Sequence, residues 1–386
     1  MEYILKNKDK EILEFSTKTQ NGFVYLDQVK IINNELCPKE IKNLNNLKSN
    51  LHSWIENRKI PKHRQFAKNI LQNLGVDSES NFLAYIDISF GLSLNDSLWI
   101  IPKNKDYKWA DYNLYKNKFD TALQLCAFGI NVAHNKSTSP EYTTNGMLKK
   151  CWIRKENEIF LFKGSMQGEE AFGEYFSYQV AKIMKFNAIS YDLQEYHNNI
   201  VSSCPIFTNE NRGFIPIGNL IEKEIKKGYK AILARHCENI YGKENFADLM
   251  VFDAIIGNID RHLGNFGMIV DNNTSNFLQS APIFDNGLCV LGWANKDEYL
   301  DIDLNQTYFD LNFKAQLEKY IDIRHLDGLK KLADFKFKQH SDFKFDENLL
   351  QIFNNFVNNQ AKLGLKILKN LEQDLAQNAP KICKKR

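Results

Sequence analysis

The hydrophobic period of this chain changes near residue 208, and that change limits the folds open to it. Before it, apolar residues fall in short runs split by charged turns; beyond it they recur at helical spacing over long stretches. In the first part, Cys151 to Ile153 and Ile159 to Phe162 are strand-like runs flanking the charged turn Arg154-Lys155-Glu156-Asn157, which predicts a hairpin. Tyr191 to Phe207 reads as further short strands, and Phe82 to Ser89 with Leu98 to Ile101 as the start of a small sheet. Glu169 to Lys185 carries a helical pattern with acidic residues in its first turns, where they favour the helix dipole. Two helices are predicted between Glu40 and Asn73, from Ile41, Leu44, Leu47, Leu51 and Trp54 and then Phe66, Ile70 and Leu71. The second part reads as helices over Leu220 to Glu238, Asn245 to Ile256, Phe313 to Tyr320 and Leu349 to Leu375. A chain of 386 residues exceeds what one core usually serves. The expectation is therefore an α+β protein of two lobes. Residues 1–207 would form an N-terminal lobe with a helical start and then a sheet, and residues 208–386 a mainly helical C-terminal lobe.

Charge and cysteine usage exclude several function classes. The 50 Lys and Arg against 47 Asp and Glu leave a net charge of +3, which does not suggest a nucleic-acid binder. The opening residues MEYILKNKDKEILEFSTKTQ are interrupted by charges every few positions, unlike a secretory signal, and no later run has membrane-spanning length. Seven cysteines are scattered without a C-x-x-C pair, the pattern of a reduced cytoplasmic protein and not of a disulfide scaffold. The basic end Lys384-Lys385-Arg386 reads as a solvated tail.

The strongest chemical signal is GNIDRHLGNFGMIV, Gly257 to Val270, followed by PIFDNG, Pro282 to Gly287. Phosphoryl transfer needs an aspartate to orient the attacking hydroxyl, and an Asn and an Asp that hold Mg²⁺ against phosphate oxygens. Asp260, Asn265 and Asp285 stand in that order. A hairpin turning at Asn272-Asn273 would bring Asn265 and Asp285 to its base. The triphosphate of ATP also needs a fixed cation, and Lys163 ends the strand Ile159 to Phe162 just before Gly164, with Glu169, Glu170 and Glu174 on the following helix as possible partners. Taken alone, Asp260 is better read as a turn cap, with Arg261 in an ordinary ion pair; the agreement of all these positions in order and element reverses that in favour of phosphotransfer. His262 with His236 and Cys237 lacks zinc spacing and is expected to be a buried, hydrogen-bonded imidazole.

These residues resemble the HipA-like serine/threonine kinases of bacteria. The family's N-x-D-R-H-x-x-N signature matches Asn258, Asp260, Arg261, His262 and Asn265, and its metal aspartate falls on Asp285. The family's S-x-x-G-x-x-x-K nucleotide-covering loop resembles TTNGMLKK, with Thr143, Gly146 and Lys150 at the matching positions and Thr in place of the usual Ser. The resemblance implies autophosphorylation at Thr143 or Thr144. The family's N-E-x-x-x-x-x-L-A helix is similar to Glu174 to Ala181, which implies Glu174 as the partner of Lys163. Together these imply a kinase fold, ATP and Mg²⁺ as cofactors, and a protein substrate carrying a Ser or Thr hydroxyl. Gly91 to Asn117 resembles a subgroup of single-chain members, which implies a bacterial effector able to act inside a host cell. The first 80 residues do not resemble the N-terminal domain of toxin-type members, which argues against an antitoxin partner and operator DNA. Neither G-x-G-x-x-G nor A-P-E is present, so nucleotide cover and activation differ from those of ordinary protein kinases. Two other readings compete: a phosphoinositide-type lipid kinase, which shares a D-R-H-x-x-N and D-x-G pairing, and a nucleotide-binding toxin or scaffold module without transfer.

Overall fold

The computed structural model describes residues 1–42, 44–71, 81–133, 137–166, 169–293 and 307–378. The basic tail and Cys383 lie outside them. The chain forms two compact units, each drawn from three stretches. One comprises Met1–Met166, Gln194–Glu222 and Gly267–Ala281; the other Gln167–Leu193, Lys223–Phe266 and Pro282–Arg386.

The first unit carries three antiparallel sheets. Strands β1 (Glu2–Asn7), β2 (Lys10–Gln20), β3 (Phe23–Ile31) and β4 (Leu98–Pro102) pair in the order β3-β2-β1-β4. The chain therefore opens with strands, and the expected helical start is corrected. The reason is legible in β1, the central strand: Tyr3 and Leu5 enter one apolar cluster and Ile4 another, so both faces are buried and no clean alternation marks it. The two expected helices follow as Leu47–Glu56 and Ala67–Leu71, and the first presents Leu51, Trp54 and Ile55 to the cluster containing Leu5, Leu13 and Phe15. Phe82 to Ser89 is not a strand. It turns into the short helix Ile86–Ser89, stopped by Phe90 in a left-handed conformation.

Strands β5 (Lys150–Lys155) and β6 (Glu158–Lys163) form the expected hairpin, with β7 (Asp192–Tyr196) and β8 (Asn199–Pro205) completing a sheet in the order β5-β6-β8-β7. Cys151 and Phe162 face Leu123, Phe128, Tyr142 and Val201, while Ile159 and Trp152 on the opposite face join Trp99 and Trp109. The third sheet places β10 (Gly267–Asp271) between β9 (Arg212–Pro216) and β11 (Phe277–Ser280). Its β10–β11 turn follows Asp271, whose carboxylate accepts the N–H groups of Asn273 and Thr274.

The second unit is helical: Glu170–Met184, Lys230–Tyr241, Lys243–Ile256, Phe313–Tyr320, Leu326–Leu332 and Glu347–Asn378 are its main elements. The single helix expected from Leu220 to Glu238 is broken, with Gly228 lying between Lys223–Lys227 and Lys230–Tyr241. Lys243–Ile256 is the unit's axis. It buries Phe246, Leu249, Met250, Val251, Phe252, Ile255 and Ile256, and each such side chain contributes about 1.5–3 kcal/mol. Among the described residues no helix is long and apolar enough to cross a membrane, and all six described cysteines are free and buried.

Candidate active site

One carboxylate interrupts the apolar run of the axial helix. Asp253 is 1% exposed, and a bare carboxylate there would cost several kcal/mol. It is answered by three donors: Arg261 Nε at 2.9 Å, Arg261 Nη2 at 2.9 Å and Asn258 Nδ2 at 2.9 Å. The chain returns to supply them because the helix stops at Gly257, which holds φ +68°. A Cβ at that position would stand 2.3 Å from Val290 Cγ2, so only glycine fits.

Arg261, 2% exposed, uses its remaining donors on the site's two motif segments. Nη1 donates to the carbonyls of Asn265, at 3.0 Å, and Phe284, and Nη2 donates to Asn286 Oδ1 at 2.7 Å. Burial alone would pull its pKa down. The charges of Asp253 and Asp285 outweigh that and raise it, so the guanidinium stays ionised. The planar, five-donor geometry is what lets a single side chain do this.

The motif residues sit on that frame. Asp260 is half-buried; its N–H donates to Asn258 Oδ1 at 3.1 Å and its carbonyl accepts from Asn265 Nδ2 at 3.0 Å. With Nδ2 so committed, the Asn265 amide offers Oδ1 as its ligand-type oxygen. Asp285 adopts a left-handed backbone, φ +58°, which Asp tolerates better than most residues. Its N–H donates to the Tyr191 hydroxyl at 3.0 Å, and the next N–H, of Asn286, donates to Glu174 Oε2 at 2.8 Å. Glu174 is fully buried on the helix Glu170–Met184. Gly173 beside it admits the Gly287 carbonyl, which a Cβ would approach to 2.9 Å.

The second unit thus gathers Asp260, Asn265, Asp285 and Glu174 into one hydrogen-bonded network, while Lys163, Lys150, Gly146, Thr143 and Thr144 belong to the first unit. There, Lys150 and Lys163 are cross-strand partners of β5 and β6, and both are buried. Gly146 holds φ +96°, and a Cβ there would stand 2.3 Å from Lys150 Nζ. Thr143 Oγ1 donates to the Leu92 carbonyl at 2.8 Å; Thr144 Oγ1 donates to the Pro140 carbonyl at 2.7 Å and accepts from Trp152 Nε1 at 2.9 Å.

His262 corrects an expectation. It is exposed, not buried, and its Nδ1 accepts the Gly264 N–H at 3.0 Å. Among the described residues no group of three or more His, Cys, Asp or Glu side chains is arranged to hold a metal. Magnesium in kinase sites is instead held by one or two protein oxygens completed by phosphate and water, and the Oδ donors of Asn265 and Asp285 fit that chemistry. Asn258 and Arg261 stood in the sequence signature without a role, and Asp253, Tyr191 and Asn286 were not singled out in the sequence at all. A signal existed for Asp253, the lone charge in the run Leu249 to Ile256.

No protein-family profile matches the chain. Its fold is that of the HipA-like kinases, an α+β kinase fold. It superposes with a TM-score of 0.58 on HipA of Shewanella oneidensis MR-1, solved with HipB and operator DNA, at 12% identity over 96% of this chain and 99% of that one. In sequence the chain is similar to the serine/threonine-protein kinase CtkA of Helicobacter pylori, 30% identical over 139 residues. That match covers 32% of this chain and 42% of CtkA, less than half of the relative's length. A crystal structure of a Helicobacter pylori proinflammatory kinase CtkA matches with a TM-score of 0.48 and 19% identity, over 62% of this chain and 96% of that one. The chain thus resembles the HipA-like kinases, CtkA among them. The HipA superposition covers all but 4% of this chain, so the likeness in fold extends into the first 80 residues.

Proposed function

We propose that this chain is an ATP- and magnesium-dependent serine/threonine protein kinase. The observation that carries the reading is the Arg261 frame, which ties Asn265 and the Phe284–Asn286 segment to one guanidinium beside Asp260. In this reading Asp260 accepts the proton of the substrate hydroxyl, with its backbone fixed at both ends by Asn258 and Asn265. Asn265 and Asp285 hold magnesium, which when bound offsets charge on the phosphate oxygens. Lys163 and Lys150 steady the phosphates beside Gly146. Glu174 acts on the Asp285 segment through the Asn286 N–H.

Similarity to a serine/threonine-protein kinase supports a protein acceptor, and the resemblance of Gly91 to Asn117 to the single-chain subgroup supports action in a host cell. Autophosphorylation is assigned to Thr143 or Thr144, and it requires the acceptor hydroxyl to leave its carbonyl partner. The test supplies labelled ATP and Mg²⁺ to the enzyme alone, a generic protein substrate and a phosphoinositide mixture. Label on protein, lost in both Asp260→Ala and Asp285→Ala, is the expected result. Label on lipid only, or full transfer by both variants, overturns the reading. Host-cell action is read with an export reporter fused to the chain, and a reporter that never leaves the bacterium rejects it.

A further inference from the structure

The loop Glu141–Lys150 contains Gly146 and ends at Lys150, and little apolar packing shapes its middle: Asn145 is exposed and Met147 is 53% exposed. Polar ties from two adjacent residues hold it instead. Arg64, 3% exposed, donates through Nη1 to the carbonyls of Glu141 and Thr144, each at 3.1 Å, and through Nη2 to the carbonyl of Lys150. Gln65 donates its backbone N–H to the Met147 carbonyl at 2.7 Å, and its Oε1 accepts the Lys149 N–H at 2.9 Å. These ties reach both ends of the loop and its middle.

Burying a guanidinium is costly unless its partners are well placed. The carboxylate of Glu141 does not meet that need by direct contact, since it accepts from Ser139 Oγ and from the Trp152 N–H at 3.1 Å. The buried charge of Arg64 is thus directed at loop carbonyls, an arrangement that fixes backbone shape. Burial lowers the Arg64 pKa to about 10, so it remains charged at neutral pH.

We propose that Arg64 and Gln65 are positioning residues that hold the loop Glu141–Lys150 in its nucleotide-receiving shape before ATP arrives. This rests on the phosphotransfer reading above. The discriminating pair is Gln65→Ala and Gln65→Glu in the full chain: the first removes the acceptor for the Lys149 N–H, and the second keeps it. One lost backbone tie predicts a KM for ATP raised about five- to tenfold in Gln65→Ala, with kcat within about twofold. Gln65→Glu returns KM to within about twofold of wild type, and Arg64→Lys, which keeps the charge without the fork, raises KM at least as much as Gln65→Ala. Unchanged KM in Gln65→Ala and Arg64→Lys overturns the proposal while wild-type transfer leaves the kinase reading intact. Equal losses of kcat and melting temperature in Gln65→Ala and Gln65→Glu also overturn it. Wild-type protein that neither binds Mg-ATP nor transfers phosphate rejects both.

Discussion

Replacing Arg261 by Met keeps an unbranched apolar stem and removes all its donors. Asp253, 1% exposed, is then left with Asn258 Nδ2 as its hydrogen-bond donor from the network. Breaking a buried ion pair by removing one partner costs about 3–5 kcal/mol. For a unit of this size, each kcal/mol lowers the melting temperature by roughly 2–4 °C, so a drop of about 6–20 °C is expected by calorimetry. Stability alone does not separate a structural ion pair from a frame for the site. The double variant Asp253→Leu/Arg261→Met does, because it removes the stranded charge and replaces the pair with apolar side chains. Such replacements are often neutral, so most of the lost stability should return, to within about 1–2 kcal/mol of wild type. Phosphate transfer should not return. The carbonyls of Asn265 and Phe284 and the Asn286 amide still lack their common donor, and transfer is expected to stay at least about tenfold down. A double variant that regains both stability and transfer refutes the reasoning, since the ties to the motif segments would then be dispensable. So does a single Arg261→Met that melts within a degree of wild type.

Tyr191→Phe removes the acceptor of the Asp285 N–H and should raise the Mg²⁺ concentration for half-maximal transfer about fivefold, leaving the KM for ATP nearly unchanged; a magnesium titration that overlays wild type rejects the link. Gly257→Ala forces a Cβ to within 2.3 Å of Val290 Cγ2 at a left-handed position, and urea unfolding should show at least about 2 kcal/mol lost, partly regained in Gly257→Ala/Val290→Ala. Burial pushes the thiols of Cys37 and Cys289 up to about 11. Because the unfolded thiols ionise first, near their ordinary value of about 8.5, these groups cost no stability below that pH and favour unfolding progressively as pH rises towards 11. Melting temperatures measured from pH 8 to 11 should fall, and Cys37→Ser/Cys289→Ser should flatten the fall; an unchanged slope removes thiol ionisation as its cause.

The fold was legible where an element keeps one face wet. The hairpin around Arg154 to Asn157 declared itself by two apolar runs and a charged turn, and the long C-terminal helix by its helical period. The central strand β1 was hidden for the opposite reason, because Tyr3, Ile4 and Leu5 are buried on successive faces and leave no alternation to read. Likewise Phe82 to Ser89, nearly all apolar, fits strand or helix equally by composition, and only packing decided for a helical turn.

The site divides along the same physical line. Asp260, Asn265 and Asp285 were found because phosphotransfer demands those residue types in that order. Of the groups that aim them, Asn258 and Arg261 stood in the signature without their roles, and Asp253, Asn286 and Tyr191 went unread, since their chemistry is ordinary and their partners are distant in sequence: Asp253 meets Arg261 eight residues on, Arg261 meets Asn286 across 25, and Tyr191 meets Asp285 across 94. No local pattern encodes such pairs. What sequence does encode is the cost they answer. A carboxylate inside Leu249 to Ile256 cannot be buried bare, so its presence alone requires a cation returning from beyond the helix end, and Arg261 is the first one after Gly257. Read that way, Asp253 locates the frame before any kinase motif is invoked, and that arginine's spare donors lead on to Asn265, Phe284 and Asn286 in the two motif segments.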